Sequence, residues 1–162
     1  MKILYHGGLE IIEAPEIREP NRTLDFGSGF YLTSSEKQAE DWVYRRLHGA
    51  ASSGYVNEYL FDLEKARTLL RVKEFSVASD EWLDFVMSNR RVPGFAHDYD
   101  IVIGHVANDR VYTAFSLYEG GVIDKETLVK ELKTYRLIDQ FLFHTDKALK
   151  HLVYKGAKHI TL

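Results

Sequence analysis

The 162-residue sequence contains no cysteine, which excludes disulfide bridges, thiol catalysis and every zinc site built on thiolates. Its three prolines, at positions 15, 20 and 93, form no proline-rich linker. No stretch approaches the roughly 20 apolar residues of a membrane span, and the N-terminal apolar run is too short for a signal peptide. We therefore expect a cytoplasmic protein with no membrane partner.

A basic excess is also absent. The chain carries 21 basic and 24 acidic residues, a formal net charge of −3, which disfavours a duplex-binding domain. Hydrophobic residues make up 45% and charged residues 28% of the sequence, an ordinary globular balance. The length suits one compact domain, so we expect residues 1–162 to fold as a single unit.

Hydrophobic spacing and capping residues predict a mixture of strands and helices. Helices are expected at 35–48 and 80–89, after Asp124, and from Thr145 to a C-terminal glycine at Gly156. Strands are expected at 3–5, 30–32, 55–63, 99–106, 110–117, 137–144 and 158–162, with 107–109 forming a hairpin turn between the fourth and fifth. Strands outnumber helices, which favours the α+β class with mostly antiparallel sheets.

Three separated segments combine glycine with chemistry-bearing residues. They are Tyr5-His6-Gly7-Gly8, the run DFGSGFYLT at 25–33, and the run DQFLFH at 139–144. Each has a simple structural explanation when taken alone. A histidine beside glycines is commonly a turn residue, a lone Gly-x-Gly is not a dinucleotide fingerprint, and a glutamine within a strand is usually a satisfied polar group.

Taken together and in this order, the segments resemble the ADP-ribosyltransferase superfamily, in the branch of diphtheria toxin and the poly(ADP-ribose) polymerases. His6-Gly7 matches the strand that ends in His-Gly, and residues 27–31 match Gly-x-Gly-x-Tyr. Gln140 takes the place of the family's glutamate, as in small bacterial members that pair a DFGxGFYxT segment with a glutamine before FHT. The resemblance implies an ADP-ribosyltransferase-like fold, in which mostly antiparallel split sheets carry flanking helices.

The resemblance also implies the roles of individual residues. His6, Tyr31 and Gln140 would be the catalytic triad, and NAD would be the substrate, with no metal. The NAD-binding set would comprise His6, Gly7, Gly8, Arg22, Gly29, Phe30, Tyr31 and Trp42. Tyr31 would stack on nicotinamide. Trp42, which stands at the offset of a family aromatic, would close the other face of the ring or serve as a core residue. Arg18 and Arg22 would meet the pyrophosphate or remain solvated loop residues.

Gln140 departs from the family pattern in a way that bears on the chemistry. Its amide can accept a hydrogen bond from the ribose 2′-hydroxyl, but it carries no charge and cannot act as a base. Asp139 is a poor substitute, because strand alternation points it to the opposite face. The sequence also lacks the HExxH spacing of a metal site.

The sequence is compatible with three functions. The first is mono-ADP-ribosylation of an unknown acceptor, which could be a protein, a nucleic acid or a small molecule. The bacterial members that the chain resembles imply a toxin–antitoxin or bacterial-conflict role, with an antitoxin as a further partner. The second function is NAD or ADP-ribose binding without transfer, and the third is nucleic-acid processing on the same fold.

Overall fold

Strands and helices alternate along the chain in a computed structural model that describes residues 1–20, 22–105, 109–135 and 138–162. The strands are β1 (Lys2–Gly8), β2 (Phe30–Leu32), β3 (Ser53–Phe61), β4 (Val72–Glu74), β5 (Ile101–His105), β6 (Asp139–Phe143) and β7 (Leu152–Thr161). The helices are α1 (Glu36–Ala50), α2 (Leu63–Leu69), α3 (Asp80–Arg91), α4 (Asp109–Glu119), α5 (Lys125–Lys133) and α6 (Asp146–Leu149).

The strands form two separate sheets. A three-stranded sheet has the order β1-β3-β7, and a four-stranded sheet has the order β2-β6-β5-β4. Pairing is antiparallel except between β4 and β5, which run parallel. An isolated bridge joins the two sheets, since Tyr5 N–H donates to Thr33 O at 2.8 Å and Thr33 N–H donates to Tyr5 O at 3.0 Å. The α+β prediction is confirmed.

Two predicted helix starts are confirmed in detail. Ser35 caps α1, because its side chain accepts from the Gln38 backbone N–H at 3.2 Å. Asp124 caps α5 in the same way, accepting from Thr127 N–H at 2.7 Å. Each cap satisfies a backbone N–H that the helix itself leaves without a partner.

The strand expected at 110–117 is wrong, because these residues belong to the helix α4. Val111, Ala114 and Phe115 are buried at spacings of three and four residues, which places them on one helical face. Burial of this face decides the structure over the local preference of valine and the aromatics for strands. Of the hairpin turn expected at 107–109, residues 107 and 108 lie outside the described residues, and Asp109 begins α4.

The long helix expected after Thr145 is also wrong. Thr145 does cap a helix, but α6 ends at Leu149 and the chain turns into the edge strand β7. Gly156 is therefore not a helix C-cap; it lies inside β7 with φ 153°, opposite Glu58, where the β3–β7 register shifts. A glycine at a bulge relieves the strain that a side chain would meet there. The expected edge strand at 158–162 is the end of this longer strand.

Further differences concern boundaries and connections. β1 continues through Gly7 and Gly8, which the sequence placed at its end, and α2 and β4 were not predicted. Each pair of hydrogen-bonded strands in the described ranges is separated along the chain by at least one helix, so the hairpin expected between strands at 99–106 and 110–117 is wrong.

Apolar side chains cover both faces of the four-stranded sheet. Val102 and Leu142 join one buried cluster with Trp82 and Phe115 from α3 and α4. The alternate residues of β5 and β6 face a second cluster beside the three-stranded sheet; they include Ile101, Phe141 and Phe143. Because side chains alternate along a strand, the face of each site residue follows from the register.

Candidate functional site

Tyr31 and Gln140 lie on the same face of the four-stranded sheet. In the β2–β6 register Tyr31 is opposite Leu142, and Gln140 lies two residues from Leu142 on β6. Residues two apart on a strand share a face. Phe30, which the sequence assigned to NAD binding, faces the other side and is buried in the second cluster.

His6 connects β1 to β2 at the junction of the sheets. Its Nδ1–H donates to the backbone oxygen of Tyr31 at 2.8 Å, and its ring stacks on Phe30 with centroids 4.4 Å apart. Burial lowers the pKa of His6, the bond to Tyr31 opposes this, and the charges of Arg46 and Arg18 lower it further. A neutral His6 that donates through Nδ1 keeps Nε2 as a hydrogen-bond acceptor.

The two glycines after His6 differ in how tightly their surroundings are packed. A Cβ on Gly7 would lie 2.2 Å from the backbone oxygen of Ala39, so the glycine lets β1 approach α1. A Cβ on Gly8 would first meet His6 Nε2, at 3.5 Å. Gly7 is therefore required by packing, whereas a side chain at Gly8 would be in ordinary contact with His6 Nε2.

Three successive carbonyls of the glycine segment, residues 25–29, each accept a side-chain hydrogen bond. His97 Nε2 donates to Phe26 O at 2.7 Å, and His144 Nδ1 donates to Ser28 O at 2.5 Å. Tyr31 Oη donates to Gly27 O at 2.6 Å and accepts from the Phe26 N–H at 3.1 Å. The segment that leads into Tyr31 is thus held from three directions.

Gly29 fits this segment tightly against β6. Its φ is 147°, and a Cβ would lie 2.4 Å from the backbone oxygen of Phe143. Packing against β6 is therefore sufficient to explain a glycine at position 29, and the role of Gly29 in NAD binding stays a prediction.

His97 and His144 also contact each other, with ring centroids 4.3 Å apart. Neither histidine was assigned a role from the sequence. Their signal in the sequence was weak, because they contact residues 71 and 116 positions away along the chain. Burial lowers the pKa of His97, and the neighbouring His144 lowers it further, although the bond to Phe26 opposes this.

An ion pair lies at the start of the glycine segment. The Asp25 carboxylate is 8% exposed and accepts from Arg90 Nη1 at 3.2 Å. The Arg90 guanidinium lies over the rings of Tyr112 and Phe115, 5.6 and 5.5 Å from their centroids. Burial raises the pKa of Asp25 above its ordinary value, and the charge of Arg90 works against this increase.

Trp42 and Arg22 form a pair at the surface. The Trp42 side chain is 38% exposed, so it is not a core residue, and the Arg22 guanidinium lies 5.6 Å from its ring centroid. The charge of Arg22 also slightly lowers the pKa of Asp25 and of Tyr31, against the larger effect of burial, which raises both. The structure therefore brings two predicted residues, Arg22 and Trp42, into contact.

Gln140 and Asp139 differ sharply in their surroundings. Gln140 is 8% exposed, and its amide Nε2 is 3.5 Å from His105 O. Asp139 accepts from the backbone N–H of Ser34 at 3.1 Å and from the Ser34 hydroxyl at 2.6 Å. Asp139 lies on the opposite face, as the alternation predicted, and its carboxylate is already bonded there.

Comparison with known proteins places the chain in a family. Residues 2–154 match the family described as "Protein of unknown function (DUF3990)", so the chain belongs to that family. No curated protein matches the chain. No solved structure matches it either.

Within the ranges given above, no helix is long and apolar enough to cross a membrane. The same residues include no group of three or more histidine, cysteine, aspartate or glutamate side chains placed to hold a metal ion.

Two partly buried histidines, His6 and His97, predict how stability depends on pH. Burial lowers the folded-state pKa of His6 and His97 below 6.5. Near and below that pH, the unfolded chain therefore binds more protons than the folded chain, and stability decreases as the pH falls. We expect the free energy of unfolding to fall from about pH 7 to about pH 5.5, and to fall less steeply in His97→Gln. Urea unfolding at both pH values measures this, and an equal pH dependence in the two proteins would contradict a neutral, partly buried His97.

Proposed function

We propose that the chain is an NAD-dependent mono-ADP-ribosyltransferase with an ADP-ribosyltransferase-like fold. The observation that carries the proposal is the arrangement around Tyr31. His6 bonds to the Tyr31 backbone, and Gln140 shares the face of the Tyr31 side chain, although the three residues come from separate segments. The junction of the split three- and four-stranded sheets is where the family resemblance would place the NAD cleft.

The surroundings of His6 suit the nucleotide part of NAD. A neutral imidazole with an acceptor at Nε2 can accept a hydrogen bond from a ribose hydroxyl. The positive charges of Arg46 and Arg18 lower the pKa of His6. A third guanidinium, that of Arg22, lies over the Trp42 ring. Guanidinium groups match the geometry of phosphate oxygens, which supports a pyrophosphate on this side.

The proposed reaction breaks the bond between the ribose C1′ and the nicotinamide nitrogen. The nitrogen leaves with the electron pair, and a nucleophile of the acceptor bonds to C1′ and loses its proton. Gln140 Oε1 would accept from the ribose 2′-hydroxyl, an interaction that strengthens as positive charge develops on the ring. Since an amide is not a base, the proton of the nucleophile passes to solvent or to a group of the acceptor.

A second function is favoured by the state of the carboxylates. Gln140 carries no charge, and the neighbouring Asp139 is bonded to Ser34. A site of this kind supports binding of NAD or ADP-ribose without transfer. The acceptor, the antitoxin partner and the toxin–antitoxin role remain predictions from the family resemblance.

Labelled NAD separates the two functions. A transferase releases nicotinamide and passes the label to an acceptor, whereas a binding module gives a calorimetric binding signal without release. His6→Ala, which removes the bond to Tyr31, is expected to weaken both binding and release. The absence of NAD binding and of release in the wild-type protein would overturn the proposal.

Replacement of Tyr31 by Ala is expected to raise the Kd for NAD about tenfold. The loss of a stacked ring is worth roughly 1–2 kcal/mol, or about tenfold in affinity. Tyr31→Phe is the matched control, because it keeps the ring and removes the hydroxyl that bonds to Phe26 and Gly27. Calorimetry on both variants gives the comparison. Equal losses in the two would show that the hydroxyl matters and that the ring does not stack on nicotinamide.

A further inference from the structure

The indole of Trp82 is a buried donor without an acceptor. Trp82 belongs to α3, and its side chain is fully buried. Its Nε1 has no hydrogen-bond partner anywhere in the described ranges. Native proteins pair nearly all their buried donors, so an indole N–H left alone at a candidate site needs a physical explanation.

The position of this N–H is fixed by Gly104. Trp82 Nε1 lies 3.4 Å from the point that a Cβ on Gly104 would occupy, and Phe26 Cζ lies 2.8 Å from it. The rings of Phe26 and Trp82 thus occupy the space that a side chain at position 104 would need. In the β5–β6 register, Gly104 is directly opposite Gln140. Cβ positions of directly opposed residues are about 4.5–5.5 Å apart and on the same face, so the indole N–H and the Gln140 side chain are neighbours.

Gln140 has a side-chain oxygen that could accept the indole N–H. Its Nε2 is directed to His105 O at the long distance of 3.5 Å, and its Oε1 accepts no hydrogen bond from the residues that the structure describes. The Phe115 ring packs against the Trp82 indole with centroids 5.9 Å apart, and as an apolar group it offers the N–H no oxygen or nitrogen acceptor. A donor without an acceptor and an acceptor without a donor therefore lie beside the same glycine.

We propose that Trp82 is a positioning residue for Gln140: its indole N–H donates to Gln140 Oε1 and fixes the orientation of the amide. The movement required is a rotation of the Gln140 side chain, with the strand register unchanged. A carbonyl oxygen has two lone pairs, so one remains to accept from a substrate hydroxyl after Trp82 has used the other. The inference rests on the proposed function only for what Gln140 does with that second lone pair.

The pairing can be tested without NAD. The chain has two tryptophans, so ¹H–¹⁵N spectra contain two indole signals, which Trp42→Phe assigns. Gln140→Ala is expected to shift the Trp82 signal and to speed its hydrogen exchange about tenfold, the equivalent of one lost hydrogen bond. Asp139→Asn is the matched control; it changes the adjacent residue on the opposite face and should leave the Trp82 signal in place. A Trp82 signal that Gln140→Ala leaves unchanged overturns the inference.

Kinetics test the consequence for the site. Trp82→Phe removes the N–H and keeps an aromatic ring against Phe115. We expect about a tenfold lower kcat for nicotinamide release with an unchanged Kd for NAD, and no additional loss when Trp82→Phe is combined with Gln140→Ala. A loss of the same size in the Gln140→Ala background would assign Trp82 a packing role and overturn the positioning role. If the wild-type protein does not process NAD, the proposed function fails and the spectra alone decide on the Trp82–Gln140 pair.

Discussion

Gln140→Glu is expected to raise the rate of nicotinamide release on the order of 10²-fold, with little change in the Kd for NAD. A carboxylate on the face of Tyr31 would stabilise the oxocarbenium-like transition state more than an amide does, and single groups of this kind change rates by about 10²–10³. An effect on kcat without an effect on binding is the mark of an interaction made in the transition state. Separate assays of nicotinamide release and acceptor labelling provide the measurement.

The same variant distinguishes a competing arrangement. If the Gln140 N–H donates to a carbonyl of the acceptor, a glutamate loses that donor, and label transfer falls while nicotinamide release survives. Gln140→Ala is the control that removes both the donor and the acceptor. If wild type, Gln140→Glu and Gln140→Ala behave alike in both assays, Gln140 has no part in catalysis.

Gly7→Ala is expected to lower the free energy of unfolding by about 3 kcal/mol, the upper part of the range for overpacked sites. Its Cβ would lie 2.2 Å from the Ala39 backbone oxygen, so α1 would have to move away from β1. Urea or thermal unfolding gives the value.

Gly8→Ala is the matched control for this substitution. Its Cβ would have its nearest neighbour, His6 Nε2, at an ordinary contact distance of 3.5 Å. We expect nearly wild-type stability, with weaker NAD binding because the methyl group covers His6 Nε2. Equal losses of stability in Gly7→Ala and Gly8→Ala would contradict the close approach of β1 to α1.

The sequence predicted best where local chemistry determines structure. Ser35 and Asp124 cap helices through bonds to residues three positions later, so a short window contains the whole signal. It predicted less well where the partner lies far away in the chain. α4 is helical because Val111 and Phe115 are buried together, and β7 is a strand because β3 offers it an edge.

The candidate site follows the same division. Alternation alone put Gln140 and Asp139 on opposite faces, and the structure has them so. The donors that hold the glycine segment could not be predicted, because His97 and His144 become its neighbours only after the sheet has formed. Trp82 likewise cannot be told from an ordinary core residue in the sequence. Its N–H lacks a partner in the structure, and its position beside Gln140 follows from the register that puts Gly104 opposite Gln140.

The way the glycine segment is held has a consequence for folding kinetics. Three side chains donate to the carbonyls of this segment. Two of them, from His97 and His144, are 71 and 116 residues away from the carbonyls they bind, so these bonds form only after long loops have closed. The helices and their caps, which depend on near neighbours, can form earlier. The surroundings of Tyr31 should therefore be among the last parts of the molecule to become ordered. In pulse-labelling hydrogen exchange during refolding, the Phe26 amide, which bonds to Tyr31 Oη, should gain protection after the amides of α1.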